Sequence, residues 1–537
     1  MNPSKALAAG LLVAAAACAS ACWEDDRDAL WARERLLIGP IPLKDGVAYV
    51  DSGLDRVVSL DLGEARPRID RFAIGRRAIY ATPTPARDKL LVITRGEEAV
   101  VQGQIDQDPM LWVVDVANPQ APVQSYPIGS PFDRLAIADD ASLVVAYFSG
   151  TGPDSEGFFR NPNELAVVDL SRPAGEQNPT LKTVRSFGAV PDGVVLSPPM
   201  SIPGAEDPSP RIFAFVLAPN NLTVIDASNP GRDEVSIRLD LDDEAVRPRE
   251  MVFAPNTATA YLRSDNARDV LEIIITYEAP QTADVTENDY RPVLAELGAG
   301  GGPSDIAVYD DAAGRRFVLA ATPNTGQVVV IDADTAQFRT ISTSDPIDRI
   351  LLFPSGEDAA PQQAVMASVG ARLSRLHVLD LGRITDELVQ LDLDPIELDQ
   401  PVLDVVQGPG RDLAMVVHDD DRTVLGLLDM SFGSVSPLQG VGRLDTYAFT
   451  PDGRYLVGAT SGVERVGYLE LDNLHPSDMR LDDLPARVFA LANGRVVVDH
   501  GDPLGRVTII PSAGADRADA LVLSGFLLEG YLDAEED

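Results

Sequence analysis

The sequence contains very little cysteine and histidine. Its only two cysteines are Cys18 and Cys22, so the rest of the chain has neither a disulfide nor a thiol nucleophile. Zinc sites and clusters held by cysteine are excluded for the same reason. Only four histidines occur in 537 residues, which leaves little room for a histidine-built metal centre.

Basic residues are also scarce. The chain has 44 Lys and Arg against 83 Asp and Glu, a formal charge of −39. Such a field repels phosphate backbones, so nucleic acid is excluded as a partner. Motifs of contiguous catalytic residues are absent as well: there is no Gly-x-Ser-x-Gly elbow, no Walker loop and no His-Glu-x-x-His. Hydrophobic residues make up 45%, which is typical of a folded soluble body.

The N-terminus reads as an export signal. Lys5 supplies a positive start, and the uncharged run 6–17 that follows is too short to span a bilayer. Ala19-Ser20-Ala21-Cys22 resembles the lipobox of bacterial lipoproteins, in which the cysteine becomes the lipidated first residue. We therefore expect a lipoprotein signal peptide at 1–21, with lipid attached at Cys22.

Two alternatives to this anchor remain open. Cys18 follows three alanines and is a rival lipidation site. An ordinary signal peptide cleaved nearby would instead release a secreted protein. With lipid at Cys22, residues 22–45 form a linker and residues 46–537 form the folded body, held on the outer membrane at its periplasmic or surface side.

The body is built from a repeat, because an apolar run ending in an acid recurs along it. Successive acids are 41 to 57 residues apart, except for one gap of 106 that spans two units. The acids that end these runs are Asp61, Asp115, Asp169, Asp226, Asp332, Asp380, Asp429 and Glu470. Each carboxylate is expected to accept a backbone N–H from the turn that follows it.

Each unit contains four short strand-like runs. Asp445 to Phe449, Tyr455 to Ala459, Arg465 to Leu471 and Met479 to Asp483 show all four, with a Pro-Asp-Gly turn after the first. Four antiparallel strands in 40 to 50 residues are the signature of a β-propeller blade. The fold class is therefore all-β, a single large propeller of 7 to 10 four-stranded blades. Two separate rings are the alternative.

Two segments carry a family resemblance. Val113-Val114-Asp115-Val116-Ala117-Asn118-Pro119 and Phe449-Thr450-Pro451-Asp452-Gly453 look like repeats of bacterial envelope propellers of the LVIVD and YVTN types. The resemblance implies a propeller and no shared activity. The first unit lacks an evident innermost strand, so we expect the C-terminal run Phe526 to Leu532 to complete the first blade and close the ring.

The candidate metal ligands lie at the ends of two second strands. His418-Asp419 and Asp499-His500 occupy matching places in their units, so they could converge at one face with other acids. Calcium is the cofactor to consider. Solvated strand ends are the alternative.

The two longest insertions after second strands are the candidate binding loops. They should lie on the same face, and acids with exposed aromatics there could bind calcium, a cationic or sugar ligand, or a protein. The residues of interest are Glu97, Glu98, Asp106, Asp108, Asp154, Glu156, Phe158 and Phe159.

Two functions from different classes follow. The first is a lipid-anchored, non-enzymatic propeller that serves as a platform for an envelope protein or a small ligand. The second is an envelope enzyme resembling lactonases or quinoproteins, with a metal or cofactor at the central channel. Motif absence does not separate them, because propeller sites are scattered over several blades.

Overall fold

The computed structural model describes residues 36–64, 66–97, 107–149, 161–175, 177–184, 190–239, 245–282, 284, 286–354, 361–384, 391–409, 412–440 and 442–528. Within them the chain forms ten four-stranded sheets. Each sheet uses four strands consecutive in sequence, and every pairing is antiparallel. We call these sheets blades 1 to 10.

The first five blades have the following strands. Blade 1 contains β1 Leu37–Pro42, β2 Gly46–Asp51, β3 Arg56–Asp61 and β4 Arg68–Ala73; blade 2 contains β5 Ala78–Pro83, β6 Lys89–Thr94, β7 Met110–Asp115 and β8 Gln124–Pro127. Blade 3 contains β9 Arg134–Ile137, β10 Leu143–Tyr147, β11 Glu164–Asp169 and β12 Thr180–Thr183; blade 4 contains β13 Gly193–Leu196, β14 Phe213–Ala218, β15 Asn221–Asp226 and β16 Val235–Arg238. Blade 5 contains β17 Arg247–Phe253, β18 Thr259–Asp265, β19 Val270–Tyr277 and β20 Tyr290–Leu297.

The remaining five blades repeat the same order. Blade 6 contains β21 Asp305–Asp310, β22 Arg316–Thr322, β23 Gln327–Asp332 and β24 Gln337–Ser342; blade 7 contains β25 Arg349–Phe353, β26 Gln363–Ala367, β27 Arg375–Asp380 and β28 Asp394–Glu397. Blade 8 contains β29 Asp404–Gln407, β30 Leu413–Val417, β31 Val424–Asp429 and β32 Ser434–Gln439; blade 9 contains β33 Thr446–Phe449, β34 Tyr455–Ala459, β35 Arg465–Glu470 and β36 His475–Arg480. Blade 10 contains β37 Arg487–Ala490, β38 Val496–Asp499, β39 Arg506–Ile510 and β40 Leu521–Ser524.

Hydrophobic packing between blades arranges these sheets as a propeller. The buried apolar residues form ten clusters, and each cluster joins two successive blades. One of them brings Val47 and Leu60 of blade 1 against Val497 and Ile509 of blade 10. The first strands of neighbouring blades also contact one another, so they are the innermost. The fold is therefore one ten-bladed β-propeller, as the repeat predicted.

Seven of the eight repeated acids end third strands and cap the turns after them, as predicted. The eighth, Glu470, instead accepts a hydrogen bond from the side-chain amide of Asn473 at 2.8 Å. The Asp61 carboxylate accepts the N–H of Gly63 at 2.9 Å, and that of Asp332 accepts the N–H of Thr335 at 2.9 Å. The remaining aspartates, Asp115, Asp169, Asp226, Asp380 and Asp429, each accept one backbone N–H two or three residues on. These seven aspartates therefore stabilise the turns that follow the third strands.

The predicted completion of blade 1 by the C-terminus is wrong. Blade 1 has its own first strand, β1, so the propeller starts at Leu37 and not at residue 46. A shift of register between Ile38 and Ile41, at Gly39 and Pro40, breaks the alternation that marks a strand in the sequence.

The C-terminal run nevertheless reaches the first blade by packing against it. Phe526 and Leu527 are buried between blades 10 and 1. The carbonyl oxygen of Leu527 accepts a hydrogen bond from the Arg56 guanidinium at 2.9 Å. The ring is thus closed by side chains and loops, without exchange of a strand.

The two faces of the ring differ in what they carry. The loops between second and third strands and the connections between blades lie on one side, which we call the loop face. The turns between first and second and between third and fourth strands lie on the other side, the turn face. Within the described ranges the only helices are three short 3-10 turns, and no helix is long and apolar enough to cross a membrane.

Candidate functional site

The loop face carries the histidines singled out in the sequence, and His500 is held there by two hydrogen bonds. Its Nδ1 lies 2.9 Å from the carbonyl oxygen of Leu484, and its Nε2 lies 2.8 Å from the hydroxyl of Thr508. A carbonyl can only accept, so Nδ1 carries the proton in this arrangement. His500 therefore ties the connection between blades 9 and 10 to the third strand of blade 10.

His418 has the matching role in blade 8. Its Nδ1 lies 2.9 Å from the carbonyl oxygen of Pro401, in the connection that precedes that blade. Gly426 occupies the place that Thr508 has in blade 10, and a Cβ there would come within 3.0 Å of the His418 Nε2. The equivalence inferred from the sequence thus holds, and both imidazoles tie down a connection between blades.

The two acids beside these histidines also have local partners. Asp499 is buried, and its carboxylate accepts hydrogen bonds from the Tyr49 hydroxyl at 2.8 Å and the Gly501 N–H at 3.2 Å. Burial raises the pKa of Asp499. Asp419 accepts the N–H groups of Thr423 and Val424 at 2.7 and 2.9 Å, within its own loop.

The metal hypothesis required these four residues to converge with further acids. His418 and Asp419 belong to blade 8 and Asp499 and His500 to blade 10, with blade 9 between them. Among the described residues, no group of three or more His, Cys, Asp or Glu side chains is placed to hold a metal ion. Metal or calcium binding by this set stays a prediction.

The candidate binding loops are described only at their edges. The Glu97 carboxylate pairs with the Arg76 guanidinium, and the backbone of Glu97 bridges to Gln107. Asp108 is exposed next to the start of β7. The other predicted residues, Glu98, Asp106, Asp154, Glu156, Phe158 and Phe159, lie outside the described residues, as does Cys22.

One carboxylate that sequence reasoning missed lies on the innermost strands. Asp305 is the first residue of β21, and its carboxylate accepts the N–H of Ile350 in the next blade at 2.6 Å. Burial raises the pKa of Asp305 to about 6, and the negative charge of Glu250 contributes in the same direction. Glu250 is paired with Arg263 at 3.1 Å. A carboxyl that titrates near neutral pH can donate and accept protons.

A second unpredicted feature is a groove of about 630 Å³ between blades 6 and 7. Arg339 and Thr343 line one side, and Leu391 and the buried His377 line the other. The His377 Nε2 lies 2.8 Å from the carboxylate of Asp345. No motif marks this cluster, because Asp345 lies in the connection between blades 6 and 7 and His377 lies in the third strand of blade 7.

Comparisons with known proteins add little. No family model and no curated protein matches the sequence. Among solved structures, the chain is similar to "Dihydro-heme d1 dehydrogenase NirN in complex with DHE", with 14% sequence identity and a TM-score of 0.40, over 85% of this chain and 80% of that chain. A similarity this distant does not transfer that protein's activity to this chain.

Proposed function

We propose that this chain is a lipid-anchored propeller of the cell envelope that acts as a non-enzymatic binding platform for a protein or a small ligand. Its repeats resemble those of envelope propellers of the LVIVD and YVTN types. The lipid on Cys22 holds it at the outer membrane, and the loop face presents the binding surface.

One observation carries this proposal. The polar residues of the loop face that resemble catalytic or metal-binding groups are engaged in holding the fold: His418 and His500 each contact a main-chain carbonyl oxygen in a connection between blades. Asp499 is occupied by Tyr49. The side chains of this face that could act in catalysis instead hold its own loops in place. Such a face is better suited to binding a partner than to catalysing a reaction.

The charge of the chain indicates what kind of partner it would take. With a net charge of −39, the protein attracts cationic surfaces and repels anionic ones over distances up to about 10 Å at moderate ionic strength. A basic envelope protein or a cationic ligand is therefore favoured. The rate at which such a partner associates with the propeller should fall as salt is added.

The anchor is tested by mass spectrometry of the N-terminal peptide. We expect lipid on Cys22 in the wild-type chain and in Cys18→Ser, and a loss of both lipid and membrane association in Cys22→Ser. Lipid retained in Cys22→Ser but lost in Cys18→Ser would move the anchor to Cys18. No lipid in any of the three chains would make the protein a secreted one.

The platform is tested by crosslinking in intact cells followed by metal analysis of the purified chain. A stoichiometric envelope partner, recovered with a chain that holds less than a tenth of an equivalent of calcium or zinc, supports it. A full equivalent of metal that is lost in the Asp499→Asn/His500→Ala double variant would favour the enzyme instead.

The enzyme alternative has one observation in its favour, the raised pKa of Asp305 on the innermost strands. A carboxyl with a pKa of about 6 is suited to general acid–base catalysis at neutral pH. A hydrolase assay with lactone and ester substrates, comparing the wild type with Asp305→Asn, tests it. Turnover that falls at least a hundredfold in the variant would establish this alternative.

A further inference from the structure

The loop face of blades 9 and 10 exposes three large apolar side chains. Val463 is 44% exposed, Leu484 is 45% exposed and Leu504 is 43% exposed. We call these three residues the apolar patch. Exposed apolar groups gathered on one face of a soluble protein mark a contact surface.

Short hydrogen bonds link the segments that carry the patch. The carbonyl oxygen of Glu464, next to Val463, accepts the N–H of Leu481 at 2.9 Å, at the start of the connection that holds Leu484. The carbonyl oxygen of Leu484 in turn contacts His500, at the start of the loop that holds Leu504. The three side chains therefore stand on neighbouring parts of one surface.

Most acids around the patch have arginine partners. Asp482 pairs with Arg517 at 2.6 Å and Asp483 pairs with Arg506 at 3.1 Å, whereas Asp502 accepts the N–H of Leu504 at 2.7 Å. Glu464 and Arg480 are 3.5 Å apart. The whole chain carries a net charge of −39, but most charges around the patch are paired. A surface with no net charge therefore meets little repulsion at the patch.

The chain leaves the ring on the same face and beside the same blades. Leu36 precedes β1, and its carbonyl oxygen accepts a hydrogen bond from the Ser52 hydroxyl at 2.7 Å, in the loop after β2. Blade 1 packs against blade 10. Only 14 residues separate Leu36 from Cys22, a span of at most about 50 Å when fully extended.

We infer that the apolar patch rests on the zwitterionic phospholipid surface to which Cys22 is anchored, so that blades 9, 10 and 1 face the membrane. This inference rests on the lipid anchor of the proposed function. The anchor supplies a high effective concentration, and the patch then needs only a weak affinity of its own to orient the ring. The loop face of blades 2 to 7, which includes both candidate binding loops, would remain free for a partner.

Single fluorescent labels test this orientation in the full lipidated chain. The sulfur of a lipidated Cys22 is blocked, so a cysteine introduced by Leu504→Cys is the only reactive thiol and can carry an environment-sensitive dye. Phe432→Cys is the matched control, because Phe432 is 82% exposed but lies on the turn face of blade 8. Both chains are placed on phosphatidylcholine vesicles with and without spin-labelled lipid.

We expect the emission of the dye at position 504 to rise at least twofold on vesicles and to be quenched by the spin-labelled lipid, while the dye at position 432 changes by less than a fifth. Leu484→Ser in the Leu504→Cys chain should halve the rise. Equal responses at both positions, a response at 432 alone, or none at either would overturn the inference. A rise at 504 that appears only with added envelope protein would assign the patch to a protein partner and also overturn it.

A second way of tethering the chain to vesicles distinguishes a failure of the lipid anchor from a failure of the proposed orientation. The Cys22→Ser chains, carrying a histidine tag in place of residues 1–21, are bound to vesicles that contain nickel-chelating lipid. A response at 504 on these vesicles supports the surface even if mass spectrometry finds no lipid on Cys22. A lipidated chain that shows no such response would retain the proposed function and lose this inference.

Discussion

The hydroxyl of Tyr49 donates a hydrogen bond of 2.8 Å to the carboxylate of Asp499, and these two residues are 450 positions apart in the sequence. Tyr49 is in the second strand of the first blade and Asp499 in that of the last. Both side chains are almost wholly buried. With no strand exchanged between these blades, this contact and the apolar cluster around it close the ring.

Tyr49→Phe should weaken this closure. Asp499 would keep only its bond to the Gly501 N–H, and a buried acceptor that loses a partner costs about 1–3 kcal/mol. Urea unfolding measures the loss, and hydrogen exchange should rise in Gly46–Asp51 and Val496–Asp499 before other strands. Tyr468→Phe in blade 9 is the control, because its buried hydroxyl has no hydrogen-bond partner among the described residues. Equal losses in both variants would contradict a special role for Tyr49.

The contrast between Asp332 and Asp499 explains what the sequence could predict. Asp332 caps a turn three residues away, so its role is local, and it recurs in six other units with a spacing of two or three residues. The partner of Asp499 comes from the opposite end of the chain and leaves no periodic trace. Repeats therefore reveal blades and turns, while contacts between blades depend on packing that no single unit encodes.

Irregular strands and buried charges escape prediction for related reasons. The sequence pattern predicts a linker where β1 lies, because Gly39 and Pro40 interrupt the alternation of that strand. Asp305 looks like any acid at the start of a strand, and only the packing of blades 5 to 7 around it raises its pKa. The repeat predicts 7 to 10 blades and no single number, because degenerate copies cannot be distinguished from loops by sequence alone.

His500 and His418 should differ in how much they stabilise their blades. Thr508→Val removes the hydroxyl that contacts the His500 Nε2 and should cost about 1 kcal/mol of unfolding free energy. Gly426, at the matching position of blade 8, offers no such partner, so His418→Asn should cost less than His500→Ala. Denaturant unfolding of the three variants provides the comparison. A larger loss for His418→Asn than for His500→Ala would contradict the extra stabilisation assigned to the contact between His500 and Thr508.

Arg211 holds a buried cluster of charges between blades 4 and 5. Its guanidinium donates to the Asp289 carboxylate at 2.6 and 2.9 Å and lies 3.5 Å from the buried Asp226. Arg211→Met leaves Asp226 without its nearest positive charge and should cost about 3 kcal/mol, because a broken buried pair strands a charge.

The matched control for Arg211 is the pair of Arg247 and Asp192. It also joins two blades through two hydrogen bonds, at 2.8 and 2.6 Å, but its arginine is exposed. Arg247→Met should therefore cost much less than Arg211→Met, because solvent screens an exposed pair. Thermal unfolding of the two variants separates them, and similar shifts would mean that burial does not decide the strength of these pairs.

Asp305 should make the protein less stable as the pH rises. Its pKa is about 6 in the folded state and 3.8 as a free side chain, so the folded chain holds this proton more tightly. Below pH 3.8 both states are protonated and nothing is lost. Between the free and the folded pKa, Asp305 is ionised in the unfolded chain but still protonated in the folded chain, so the free energy of unfolding falls as the pH rises. Above the folded pKa the loss reaches its full value of about 3 kcal/mol.

Asp305→Asn removes this dependence, because an amide does not ionise and its oxygen can still accept the N–H of Ile350. The variant should be more stable than the wild type by about 2–3 kcal/mol at pH 7.5, and the difference should shrink towards zero near pH 4.

Asp289→Asn should show the opposite pH dependence. Burial alone would raise the pKa of Asp289, but its arginine neighbours lower that pKa to about 2. There the wild type gains stability above pH 3.8, the ordinary pKa of the carboxyl, and loses it as the pH falls towards 2. Urea unfolding at several pH values measures the stability difference between each variant and the wild type. If the difference for Asp305→Asn did not change with pH, the Asp305 carboxyl would have the same pKa in the folded and the unfolded chain, against this prediction.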